Sequence, residues 1–190
     1  IFFVSLLQVG LSFSDLIRNA QQIEEKNLPY VLTVDEMDVA RSEVQQFLTD
    51  AGATHMREPF QEAEDEAQKF QRGIEKFKQL YRSENNDEKL KQIEEIESSF
   101  NRFNASGKVM AEAYITQGME AGNVLMKGND QIAGFDKHSE VPSQELTKFR
   151  EEQIAESKQA VANITEGASS SLWIMIAGSV LSALVMLGVA

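Results

Sequence analysis

The chain has 190 residues, with 30 acidic and 18 basic side chains for a formal net charge of −12, two histidines and no cysteine. The lack of cysteine excludes a disulfide framework, a thiol nucleophile and a thiolate metal site, and the acid excess opposes binding to nucleic acid or anionic lipid. No cofactor motif and no catalytic constellation is evident, so an enzyme is not expected.

Residues 1–14, IFFVSLLQVGLSFS, carry no charge, but they are too short to span a bilayer. They lack the basic flank and small-residue cleavage site of a signal peptide. They read as the end of a first transmembrane helix that starts before residue 1. From there Leu16, Ala20, Ile23, Asn27, Tyr30, Val34, Met37, Arg41, Val44, Leu48 and Ala51 step by four and three, which is a heptad seam. Pro29 is expected to kink this helix rather than end it, since the register continues on both sides. The stretch AGATHMREP, 51–59, breaks it.

A second helix is expected from Glu58, with Phe60, Ala63, Ala67, Phe70, Ile74, Phe77 and Tyr81 on one face. SENND, 83–87, ends it. A third helix carries Leu90, Ile93, Ile96, Phe100, Phe103, Gly107, Ala111, Tyr114, Gly118, Ala121 and Leu125, as far as KGND at 127–130. A fourth starts between Gln131 and Ser143 and carries Leu146, Phe149, Ile154, Val161 and Ile164. The last charged residue is Glu166, so the final 24 residues form an uncharged run with Trp173 near its start. A helix of that length crosses a hydrocarbon core of about 30 Å, and an indole suits the headgroup level.

Four amphipathic helices with short connections predict an all-α, up-down-up-down four-helix bundle whose first and last helices continue into transmembrane helices. The expected domains are the end of a truncated span (1–14), an extracytoplasmic bundle (15–167) and a second span (168–190). The turns near 51–59 and 127–142 would form the far tip, about 60 Å out.

A span, an exported bundle and a second span resemble the ligand-binding domain of bacterial methyl-accepting chemotaxis receptors. The strings QQFLTDAGATH (45–55), MAEAYITQGMEAGNVLM (110–126) and GFD (134–136) look like a recurrent variant of that family. The resemblance implies a homodimer in the bacterial inner membrane, with the bundle in the periplasm or outside the cell. It implies binding of a small molecule and transmission of a small helix displacement to cytoplasmic signalling proteins, through modules this fragment does not contain. The sensor portion of a histidine kinase or nucleotide cyclase, or a ligand-free structural coiled coil, are the alternatives.

Several polar residues are candidates for ligand contact. Arg41 interrupts the seam about thirteen residues below the tip, and counting from the tip sets it level with Tyr114 and Gln153. Its guanidinium fork matches a carboxylate, and family members that bind aspartate use arginines on the upper first helix. Those receptors carry a set of three, whereas here only Arg41 and Arg57 occur. The upper third helix is rich in small residues (Gly107, Ala111, Ala113, Gly118, Ala121, Gly122). They permit either close helix packing or a pocket bordered by Thr49, Asp50, Thr54, Tyr114 and Asn123. His55 and His138 fall in the tip connections without ligand spacing, so no metal site is expected. NAS (104–106) and NIT (163–165) match a glycosylation pattern of low specificity.

Overall fold

The computed structural model describes residues 28–188, together with residues 14, 17, 18 and 21, and describes side chains as far as Val180, Ser179 excepted. Within residues 28–188 five helices follow in order: α1 Leu28–Thr54, α2 Glu58–Ser83, α3 Asp87–Gln117, α4 Met119–Lys127 and α5 Phe135–Gly188. Among the described residues there is no strand, only an isolated antiparallel bridge between Gly128 and Ala133. Residues 32–151 form one compact unit, and the described residues before and after them belong to a second. All but residue 14 of the expected span at 1–14, and the seam positions Leu16, Ala20, Ile23 and Asn27, lie outside the described residues, as does any kink preceding Pro29.

Local chemistry fixes most helix ends. Pro59 sits in the first turn of α2 beside Glu58, where a missing N–H costs nothing and an acid favours the helix dipole. The side chain of Asn86 caps α3 by accepting a hydrogen bond from the Lys89 N–H at 3.1 Å, and Asp87 and Glu88 follow in the first turn. His55 and Asn85 take left-handed conformations in the two short turns.

The expected seams of the first three helices lie largely on buried faces, whereas on the fourth Leu146 and Phe149 are buried but Val161 is 49% exposed. In α1 Val34, Met37, Val44, Leu48 and Ala51 are buried, in α2 Ala63, Ala67, Phe70, Ile74, Phe77 and Tyr81, and in α3 Ile93, Ile96, Phe100, Phe103 and Ala111. Within the unit 32–151 the rings of α2, α3 and α5 interlock. Phe70 stacks on Phe100 with centroids 3.7 Å apart, Phe103 on Phe135 at 5.1 Å, and Phe77 meets Phe149 edge-on at 4.9 Å. Polar pairs along the flanks set the register of α2 antiparallel to α3: Arg57 with Glu112, Lys108 with Glu64, Gln71 with Asn101, and Lys78 with Glu97. Asp35 of α1 and Arg150 of α5 pair at 2.5 Å.

The third helix departs from expectation. Rather than running unbroken to residue 125, it stops at Gln117, because Gly118 takes φ +87° and ψ −176°, backbone geometry open essentially only to glycine. Residues 119–127 form the separate helix α4. Gly128, at φ +78°, ends α4. A Cβ on Gly134 would fall 2.3 Å from the backbone N of Gly128, so the loop between them closes on bare backbone. The Asn129 side chain accepts from the N–H groups of Gln131 and Ile132 and shapes its turn.

The fourth expected helix begins at Phe135 and runs 54 residues without a break, with Pro142 inside it. Among the described residues no helix is long and apolar enough to cross a membrane. The uncharged run 167–190 falls only partly within the described side chains, which end at Val180.

Candidate functional site

Two regions of the unit 32–151 hold candidate site residues. The first is the end of the helices where α1 closes and α3 breaks. Tyr114 projects from α3 between two glycines. A Cβ on Gly52 of α1 would lie 2.9 Å from its ring, and one on Gly122 of α4 would lie 2.3 Å from it. The Tyr114 hydroxyl and the Asn123 side-chain oxygen are 2.7 Å apart and hydrogen-bonded. Thr49 stands one turn before Gly52 and donates its hydroxyl to the Gln45 carbonyl, while Thr54 donates to the Asp50 carbonyl. Asp50 and Thr54 are exposed. The small residues of the upper third helix therefore admit neighbouring rings: Tyr114 at Gly52 and Gly122, and Phe135 at Gly107, where a Cβ would meet the Phe135 ring at 2.5 Å and Leu48 at 2.6 Å.

Arg41 is not part of this cluster, and the level assigned to it from counting needs correction. Leu48 packs at Gly107; seven residues back along both helices pairs Arg41 with Phe100, not with Tyr114. Counting from KGND included α4, which is not an extension of α3. Arg41 is 9% exposed. Its Nε donates to Asp38 at 3.0 Å and its guanidinium reaches Gln45 at 3.4 Å, both on its own helix. Among the described residues no three His, Asp or Glu side chains are grouped to hold a metal ion.

The second region went unmarked in the sequence. A groove of about 680 Å³ runs between α1 and α2, within the usual range for small-molecule sites. Its floor is made by Thr33, Met37, Ala40 and Gly73, and its walls include Glu36 and Glu43 of α1 and Lys69, Arg72 and Lys76 of α2. A Cβ at Gly73 would fall 2.4 Å from Met37 Cγ, so a larger residue there would force the methionine side chain to move. At one end the buried Glu66 pairs with Lys69. The hydrogen bond that the protonated Glu43 carboxyl donates to Glu66, aided by burial and the Glu66 charge, raises Glu43 above its ordinary range, with Lys69 opposing. Its hydrogen bond to Glu66 raises Lys69 in turn. The signal available in the sequence was the cationic row Lys69, Arg72, Lys76 at helical spacing on an acidic chain, together with a glycine inside an otherwise regular helix.

No protein-family model, curated protein or solved structure matches the chain.

Proposed function

We propose that the chain is the sensory region of a membrane receptor of the chemotaxis type: an up-down-up-down four-helix bundle that binds a small molecule outside the cell, works as a homodimer and transmits a helix displacement across the inner membrane. The observation that carries the membrane half of this reading is on α5. Leu172, Trp173, Ile174, Met175 and Ile176 are consecutive, large and apolar, and each is 37 to 69% exposed. At about 100° per residue, five in a row cover every side of the helix. A water-facing helix keeps at least one polar face, so this segment is suited to hydrocarbon. The sensing half draws on α5 being assigned as a single helix, Phe135–Gly188, which includes that segment. The cluster of Thr49, Asp50, Thr54, Tyr114 and Asn123, with Arg41 below it, is the proposed ligand region.

The absence of cysteine allows a direct test in membranes. Single cysteines at Asp130, in the distal loop, and at Val180 are probed in intact cells with a membrane-impermeant maleimide. The expected result is labelling at 130 from outside, and at 180 only after detergent. Recovery of the chain in the soluble fraction, or equal labelling at both positions, overturns the reading.

A further inference from the structure

We propose that the groove between α1 and α2 binds an organic anion, a carboxylate carried on an apolar body, with Arg72 and Lys76 holding the headgroup and Met37 and Ala40 supporting the body. The proposal goes beyond the receptor reading and does not depend on it, since the groove lies within the unit 32–151 and needs no membrane.

Charge balance is the first argument. Acids outnumber bases by 30 to 18, and several cations on these helices have carboxylate partners, Arg41, Arg57, Lys69, Lys78, Lys108 and Arg150 among them. Among the described residues Arg72 and Lys76 have no ion pair. They stand one helical turn apart, a spacing at which like charges repel, with Lys69 one turn further along. Glu36 on the opposite wall does not reach them. With Lys69 paired to Glu66 and Asp35 to Arg150, the rest of the groove holds Arg72 and Lys76 with Glu36 and Glu43, and neither carboxylate forms an ion pair with either cation.

The second argument is shape. Between the walls the floor is buried Met37 and Ala40, and Leu32 and Val39 are half-exposed along the α1 edge. An apolar body covers that surface, while a carboxylate meets the Arg72 fork in two parallel hydrogen bonds. Inorganic anions would leave the floor bare, and an apolar molecule without charge would leave Arg72 and Lys76 facing each other.

Calorimetric titration of the purified full chain tests this with phenylacetate, hexanoate and succinate, and with methyl phenylacetate as the uncharged control. Saturable binding of phenylacetate or hexanoate, with none of the ester, is the expected result. Arg72→Ala and Lys76→Ala should each weaken binding about tenfold, the effect of losing one charge-assisted hydrogen bond, and Arg72→Lys less. Val39→Asp, which sets a fixed carboxylate on the edge of the groove, should abolish binding. Arg82→Ala, an exposed cation near the end of α2 and away from the groove, should change nothing. All altered positions are exposed, and unchanged helical circular dichroism and melting will show that the variants fold. Failure of all three acids to bind overturns the proposal. So does binding that is insensitive to Arg72, Lys76 and Val39, or ester binding equal to that of the acid. A preference for phenylalanine over phenylacetate would bring in Glu36 as the partner of an ammonium and overturn the assignment to a simple anion.

Discussion

The ring of Tyr114 occupies the place where Gly122 would otherwise carry a side chain: a Cβ on Gly122 would fall 2.3 Å from ring carbons Cγ and Cδ1. Gly122→Ala is therefore expected to destabilise the chain by about 1 to 3 kcal/mol through overpacking, although alanine is the better helix former by about 1 kcal/mol. In a Tyr114→Ala background the same change should be neutral or stabilising. Urea denaturation of the four proteins of this cycle measures the coupling; additive effects would mean that ring and glycine do not touch.

Arg41 and Lys78 are both buried cations with different partners. The partner of Arg41, Asp38, is on the same helix and half exposed, so Arg41→Ala should cost only about 1 kcal/mol, mainly from lost packing of its stem. Lys78 reaches across to Glu97 of α3 at 2.6 Å, and both side chains are largely covered. Lys78→Ala strands a shielded carboxylate and should cost about 2 to 3 kcal/mol, below the full penalty for a deeply buried pair. Denaturant midpoints that reverse this order would contradict the geometry.

The helical core was legible because its signal is periodic. Val34, Met37, Val44 and Leu48 repeat at heptad spacing and are buried where that spacing puts them. The break at Gly118 was not legible, since a glycine within an apolar stripe reads equally as a close-packing residue or as a hinge; only its φ of +87° distinguishes them. That error propagated, displacing Tyr114 by about two turns relative to Arg41. The α1–α2 groove was missed for another reason. Its polar residues lie on the outer sides of two helices, and such positions carry no periodic constraint. Glu43 and Glu66 meet only once the helices are placed side by side.

Glu43 gives the chain a pH dependence of definite sign. Its carboxyl is raised above the ordinary range chiefly by the hydrogen bond to Glu66. A raised acid favours the folded state while protonated, so the contribution is complete below the unfolded-state value and is lost as pH rises through the folded value. Glu43→Gln keeps a hydrogen-bond donor that does not titrate. Thermal melts across the mildly acidic range should show wild type losing stability relative to Glu43→Gln as pH increases toward neutrality. Parallel curves would show that the two carboxyls titrate independently.

The sharpest separation between a membrane helix and a helix in water comes from Ala177, which is exposed in the uncharged segment of α5. If this segment crosses a bilayer, Ala177→Arg places a guanidinium toward the middle of the span, where insertion scales put the cost at about 2.5 to 3.5 kcal/mol. That is enough to shift a substantial fraction of chains out of the membrane. If the segment lies in water, an arginine at an exposed position between Ile176 and Gly178 interrupts an apolar patch, and solubility should rise with stability unchanged. The two environments thus predict opposite changes from one substitution. Fractionation of cells expressing wild type, Ala177→Arg and, as a control in the polar part of α5, Gln159→Arg measures the difference. The expected outcome is carbonate-resistant membrane association for wild type and Gln159→Arg, and its loss for Ala177→Arg. Equal membrane association in all three would remove the span and with it the transmembrane half of the proposed function.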